Sequence, residues 1–81
     1  MLTINQLAKR YKLSRSTLLY YDKIGLLSPS ARSQANYRLY ANYDLEKMDK
    51  IARYKDAGLS LDEIHLLVNA KTSKASEVGN N

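Results

Sequence analysis

Three arginines and two tyrosines in the first half of the chain are the side chains best suited to chemistry, and that chemistry is the binding of a polyanion. They are Arg15, Tyr20, Arg32, Tyr37 and Arg38. A guanidinium donates paired hydrogen bonds to phosphate or to the O6 and N7 atoms of guanine, and a phenol can reach a phosphate oxygen. Residues 1–38 contain seven basic side chains and one acidic side chain, whereas residues 39–81 contain six and seven. The positive charge is therefore concentrated around these five residues, as expected of a nucleic-acid binder.

The composition limits the other classes of function. The 81 residues leave room for one domain with a modest core. The chain has no cysteine and a single histidine, so we expect neither a metal nor a cofactor. There is no apolar run long enough to cross a bilayer and no signal peptide, which predicts a cytoplasmic, nucleoid-associated protein with no membrane partner. The histidine has no nucleophile near it and there is no glycine-rich phosphate loop, so we do not expect an enzyme.

Three capping patterns predict where helices begin. In each pattern an apolar residue precedes a hydroxyl residue, and a second apolar residue lies four positions after the hydroxyl, as in a hydrophobic staple. The hydroxyl residues are Thr3, Ser14 and Ser60, and Gln6 and Glu63 complete capping boxes at the first and the last. The patterns predict helices at about 3–11, 14–24 and 60–69.

A further helix is predicted over about 42–57 from an apolar stripe that includes Met48 and Ile51. Gly25 and Gly58 each follow a predicted helix and suit the left-handed conformation that ends one. Residues 70–81 have no periodicity and few bulky apolar groups. We therefore expect residues 1–69 to form the domain and residues 70–81 to be a disordered or poorly ordered polar tail.

The short connection between the first two helices predicts a helix-turn-helix. Only Lys12 and Leu13 lie between them, so the two axes must cross sharply. Arg15 then lies in the first turn of the second helix, where it can contact bases in the major groove. Residues 28–40 contain Pro29 and are rich in turn-forming residues, which predicts a hairpin or wing with strands near 31–32 and 37–40. The predicted fold is mainly α, with four helices and a small two-stranded β wing.

Helical periodicity assigns the faces of the second helix. At 100° per residue, Leu18 and Tyr21 face the first helix, and Leu19 and Tyr20 lie roughly opposite. Tyr20 is then presented outward, with its phenol towards phosphate; the alternative is a plain surface aromatic or a ring packed under the wing. Arg32, Tyr37 and Arg38 of the wing suit phosphate and minor-groove contacts, although a solvated hairpin has a similar composition.

Five segments in order resemble the DNA-binding domain of the MerR family of bacterial transcription regulators. They are LTINQLAKR at 2–10, LSRSTLLYYDKIGLL at 13–27, NYRLY at 36–40, DLEKM at 44–48 and AGLSLDEI at 57–64. The resemblance covers about residues 2–68. It implies a winged helix-turn-helix that binds double-stranded promoter DNA, with the second helix in the major groove and the wing on the backbone.

The resemblance also implies a mechanism and a set of contacts. By position, the DNA contacts that carry over are Arg15, Ser16 and Tyr20 on the second helix and Tyr37 and Arg38 in the wing. Members of the family act as homodimers that distort promoter DNA between its two elements, and so affect RNA polymerase indirectly. Family members continue into a long dimerising helix that this sequence does not contain, so we expect a weak dimer or none from this chain.

The sequence departs from the family pattern at several positions. Leu19 stands where the family has an arginine, and Lys12 and Asn36 stand where it has turn glycines, which predicts positive φ at both. Ala41 replaces the usual cap of the third helix, which leaves Asn42 as the expected cap. Two other functions remain open from the residues: a phage-type architectural or excisionase-like DNA binder, and a basic module that binds an acidic protein.

Overall fold

The computed structural model describes the backbone of residues 1–77 and the side chains of residues 1–69. Seven elements follow one another along this part of the chain. They are β1 (Leu2–Thr3), α1 (Ile4–Tyr11), α2 (Arg15–Lys23), β2 (Ala31–Arg32), β3 (Arg38–Tyr40), α3 (Asn42–Asp56) and α4 (Leu61–Glu77). The predicted class, mainly α with a winged helix-turn-helix, is confirmed, and the predicted helix starts agree to within one residue.

The capping boxes form as predicted. Thr3 Oγ1 accepts from the backbone N–H of Gln6 at 3.2 Å, and Gln6 Oε1 accepts from the N–H of Thr3 at 2.9 Å. Ser60 and Glu63 exchange the same pair of bonds, at 3.2 and 2.8 Å. Each box satisfies two backbone donors that a helix start leaves unpaired, so side chains close in sequence fix both starts.

Three helices end in the same left-handed motif. After α2, Gly25 has φ 75° and the N–H of Leu26 bonds to the carbonyl of Tyr21 at 2.8 Å. Gly58 ends α3 in the same way, with φ 91°. Lys12 ends α1 with φ 55°, and the N–H of Leu13 bonds to the carbonyl of Ala8 at 2.8 Å. The predicted positive φ at Lys12 is therefore confirmed, as is that at Asn36, with φ 68°.

The start of α3 corrects the expected cap. The helix begins at Asn42 with Ala41 as its N-cap, so Asn42 is not the cap. Asp44 lies in the first turn, and its Oδ2 accepts from the N–H groups of Ala41 at 2.8 Å and Ser30 at 3.1 Å. Asp44 is only 2% exposed. Its carboxylate satisfies the N–H of the N-cap residue and ties the start of α3 to the loop before the wing.

Helix α4 is longer than predicted. It continues to Glu77 instead of ending near residue 69. The segment that follows Asn69 contains no glycine or proline before Gly79, so no local signal ends the helix earlier. The predicted disordered tail falls partly on residues 78–81, which lie outside the described residues, and the domain boundary at residue 69 stays a prediction.

The core joins all four helices. The predicted inward residues of α2, Leu18 and Tyr21, are both buried. The buried apolar side chains are Ile4, Leu7, Ala8, Leu18, Tyr21, Leu26, Leu27, Tyr40, Met48, Ile51, Ile64 and Val68. Leu19 was expected to project outward but is half-buried and packs on this core, because 100° from Leu18 places it on the flank of the helix. Leu67 of α4 lies outside this core and is 48% exposed.

The sheet has one strand more than predicted. The order is β1-β3-β2, and both pairings are antiparallel. Leu2 lies opposite Tyr40, so the start of the chain is hydrogen-bonded to the return strand of the wing. Thr3 ends β1 and caps α1, which connects the base of the wing directly to the helix-turn-helix.

Candidate nucleic-acid interface

The start of α2 presents Arg15 and Ser16 to solvent. Ser14 is the N-cap, and its Oγ accepts from the N–H of Thr17 at 3.1 Å. Arg15 and Ser16 occupy the first two helical positions and are both exposed. The first turns of α1 and α2 contain no acidic residue, whereas those of α3 and α4 do. The positive end of the α2 dipole is therefore unopposed where Arg15 projects, which favours an anion there.

Hydrogen bonds between residues of the turn stabilise the tip of the wing. The N–H of Ser33 donates to the carbonyl of Tyr37 at 2.9 Å, and Ser33 Oγ accepts from the N–H of Tyr37 at 3.1 Å. Arg32 Nη1 donates to the carbonyl of Asn36 at 3.2 Å. The left-handed backbone at Asn36 turns the chain, and the ring of Tyr37 is left 67% exposed.

An ion pair links the wing to α2. Arg38 Nε donates to Asp22 Oδ2 at 3.0 Å, and the two side chains are 29% and 20% exposed. Arg38 is the first residue of β3, and Asp22 lies in the last turn of α2. Because both are partly shielded from water, this contact is stronger than a freely solvated surface pair.

One groove gathers three of the predicted site residues. Arg15 from α2 lines it together with Tyr37 and Arg38 from the wing. The start of α1 completes it, and the lining includes Asn5 and Asn36. The groove therefore presents cationic and hydrogen-bonding groups from two separate parts of the chain on one surface.

Tyr20 lies apart from that groove. It is 49% exposed, and it lines a second depression with Ile24 of the α2 end and His65 and Leu66 of α4. His65 Nε2 lies 3.0 Å from the carbonyl oxygen of Ile24, and Asn69 Nδ2 lies 3.1 Å from His65 Nδ1. With Asn69 donating to Nδ1, the ring carries its proton on Nε2 and donates it to Ile24, so α4 is anchored to the end of the helix that presents Tyr20.

The tyrosine at the base of the wing has no role at the surface. Tyr40 is fully buried, and burial raises the pKa of its hydroxyl above the ordinary value. Among the described side chains, the Tyr40 hydroxyl is a buried polar atom with no hydrogen-bond partner. Its ring therefore contributes by packing β3 onto the core.

Sequence reasoning missed two residues of this region. Asp22 was not assigned a role, although it is the single acidic residue among residues 1–38, and an isolated acid in a basic segment is a usable signal. Asp44 is the first acid after the wing and lies three positions after Ala41, which lacks a capping oxygen.

Within residues 1–77, no helix is long and apolar enough to cross a membrane.

The fold and this basic groove define a winged helix-turn-helix domain. The chain matches the family model described as MerR HTH family regulatory protein over residues 2–71. It therefore belongs to the MerR family, as its segments led us to expect. The relatives of the chain include proteins described as HTH-type transcriptional activators.

Relatives of the chain were found both in sequence and in structure. The chain is 46% identical over 61 residues to the HTH-type transcriptional activator mta of Bacillus subtilis, which covers 75% of this chain and 24% of mta. The crystal structure of MtaN, the N-terminus of that B. subtilis multidrug transporter activator, superposes with a TM-score of 0.78 at 43% identity, over 80% of this chain and 61% of MtaN. HiNmlR, a MerR family regulator lacking the sensor domain and bound to promoter DNA, gives a TM-score of 0.76 at 26% identity, over 98% of this chain and 56% of that one. The chain thus spans about a quarter of the length of mta.

Proposed function

We propose that this chain is a sequence-specific DNA-binding domain of a transcription regulator, in which α2 and the wing bind one promoter duplex together. The observation that carries the proposal is the groove in which Arg15 of α2 meets Tyr37 and Arg38 of the wing. A duplex presents base edges in its grooves and phosphates along their rims. A helix and a wing that share one cationic surface can bind both at once.

The two elements have different tasks. Arg15, in the first turn of α2, reads a base edge in the major groove, and Ser16 and Tyr20 contact the flanking backbone. Arg32, Tyr37 and Arg38 bind phosphates or the adjacent minor groove through the wing. Phosphate contacts supply affinity and register, whereas the α2 contacts supply sequence preference.

We infer that the domain acts at promoters within the cytoplasm, at the nucleoid. Belonging to the MerR family supports a homodimer that distorts the DNA between two promoter elements and so affects RNA polymerase indirectly. We expect the 81-residue chain by itself to be a monomer or a weak dimer in solution. The solved complex of HiNmlR with promoter DNA supports the choice of ligand.

The two rival functions have less support. An architectural, excisionase-like binder and a basic protein-interaction module both agree with the charge distribution. The relatives of the chain are transcription regulators, and structural relatives were solved in complexes with DNA. That favours the regulator over both rivals.

Substitution of Arg15 tests the proposal. Duplexes selected from a random pool by the wild-type chain serve as the specific probe, and unselected duplexes serve as the non-specific probe. Arg15→Ala should weaken binding to the selected duplex by about 1–3 kcal/mol and binding to random duplex by less, because a base contact is lost. Arg53→Ala, an exposed arginine in the last turn of α3, is the matched control and should leave the preference for the selected duplex intact. Failure of the wild-type chain to bind any duplex at low salt would refute the proposed function.

A further inference from the structure

We propose that Asp22 is a positioning residue for DNA binding, whose carboxylate holds Arg38 of the wing in the orientation that meets a backbone phosphate. The inference rests on the proposed function, because it assigns the device that aligns the wing with α2. The contact is the 3.0 Å bond from Arg38 Nε to Asp22 Oδ2.

The bond occupies only one edge of the guanidinium. Arginine carries further N–H donors on its two terminal nitrogens, and among residues 1–69 no hydrogen bond to those of Arg38 is found. With Nε fixed, rotation of the guanidinium is restricted, and the terminal nitrogens keep N–H donors for a further acceptor. Arg38 also lines the groove with Arg15, so the donors left over belong to the proposed DNA surface.

The strand register creates a repulsion that Asp22 relieves. Arg32 lies directly opposite Arg38 in the pairing of β2 with β3. Like charges at facing positions destabilise a strand pair. Arg32 Nη1 bonds to the carbonyl of Asn36 inside the wing, whereas Arg38 pairs with Asp22 on α2. The two arginines are thus held by separate acceptors, and Asp22 is the one acceptor that belongs to the DNA-reading helix.

Charge and positioning predict opposite results for one substitution. Removal of an acid beside a polyanion adds net positive charge and should tighten binding to every duplex. If Asp22 acts by orienting Arg38, Asp22→Asn should instead weaken binding to the selected duplex, by about threefold to tenfold, because a charge-assisted contact loses its alignment. Binding to random duplex should stay unchanged or become tighter. Asp56→Asn is the matched control, since Asp56 is an exposed acid at the end of α3 outside the groove.

A double-mutant cycle shows whether Asp22 acts through Arg38. In the Arg38→Ala background, Asp22→Asn should cause no further loss on the selected duplex. A loss of the same size in both backgrounds would show that Asp22 supports α2 alone and would overturn the inference. Thermal unfolding of each variant, followed by circular dichroism, identifies any change in the folded fraction.

Arg38→Lys gives a test that leaves Asp22 in place. Lysine keeps the charge but has one nitrogen, which cannot hold the guanidinium geometry toward Asp22 and a phosphate together. This variant should lose about as much affinity for the selected duplex as Asp22→Asn, again threefold to tenfold, roughly. Wild-type affinity in Arg38→Lys, or tighter binding to the selected duplex in Asp22→Asn than in Asp56→Asn, would overturn the inference while leaving the proposed function intact. If the wild-type chain binds no duplex at all, both fail.

Discussion

The hydroxyl of Tyr11 donates a hydrogen bond to Asp49 Oδ1 at 2.5 Å, and this bond joins the end of α1 to the middle of α3. The hydroxyl oxygen of Tyr11 also lies 3.3 Å from the carbonyl oxygen of Leu45. Burial, followed by the bond to the Asp49 carboxylate and its negative charge, raises the pKa of Tyr11 from 10.0 to about 12. The folded domain therefore favours the protonated phenol.

This relationship predicts a loss of stability at alkaline pH. A pKa raised on folding stabilises the fold fully below pH 10, and the contribution disappears as pH rises towards 12. The free energy of unfolding of the wild-type chain should fall over that interval. Tyr11→Phe should be less stable by about 1 kcal/mol at neutral pH and should show a shallower fall. Urea unfolding at a series of pH values measures both, and parallel curves for the two proteins would contradict the assignment.

Replacement of Lys12 by glycine should stabilise the domain. It has φ 55° at the end of α1, where α2 and α3 have glycine. A lysine in this conformation is strained by roughly 1 kcal/mol or more, so Lys12→Gly should raise the free energy of unfolding by up to about that amount. Gly25→Ala, at φ 75°, is the reciprocal control and should destabilise. A destabilised Lys12→Gly in urea unfolding would mean that the lysine side chain makes a compensating contact.

Asp44 should be the most sensitive acidic residue of the described domain. Asp44→Ala leaves the N–H groups of Ala41 and Ser30 without their acceptor at a buried site, which should cost about 2 kcal/mol or more. Asp56→Ala, which removes an exposed acid from the same helix, should change stability by less than about 0.5 kcal/mol. Equal effects of the two substitutions on the unfolding midpoint would refute the capping role of Asp44.

Substitution of Leu19 should affect core packing and DNA binding in opposite directions. It is half-buried against the core, so Leu19→Arg should lower the free energy of unfolding by about 1 kcal/mol while its aliphatic stem keeps part of the contact. The added charge should still tighten binding to duplex at low salt, if the head reaches solvent beside Tyr20. Leu66→Arg on α4, where the leucine is 69% exposed, is the control that should not destabilise. Unchanged stability of Leu19→Arg would show that Leu19 contributes little to packing.

Local signals explain why much of the fold could be predicted. The starts of α1, α2 and α4 and the ends of α2 and α3 depend on residues a few positions apart, such as Thr3 with Gln6 or Gly25 with the α2 end, and these patterns are visible in the sequence. The buried face of α2 followed from helical periodicity through Leu18 and Tyr21. The family resemblance added the positive φ of Lys12 and Asn36, since both replace glycines.

What could not be predicted depends on distant partners. Strand β1 is two residues long and exists because Leu2 meets Tyr40, which no local pattern reveals. The bond between Asp22 and Arg38 likewise needs the wing folded against α2. Helical periodicity did not predict the partial burial of Leu19, because that burial depends on which other residues cover the flank of α2. The DNA contacts are predictions that the binding measurements test.

The salt dependence of DNA binding tests the central claim most directly. If Arg15 and the wing arginines neutralise phosphates or occupy a groove, log affinity for the selected duplex should fall linearly with log salt concentration. Arg38→Ala should reduce the magnitude of that slope by about one, whereas Arg53→Ala should leave it unchanged. Fluorescence anisotropy across a salt series measures both slopes. Identical slopes for the wild-type chain and Arg38→Ala would contradict the account, because the wing would then lie outside the DNA interface.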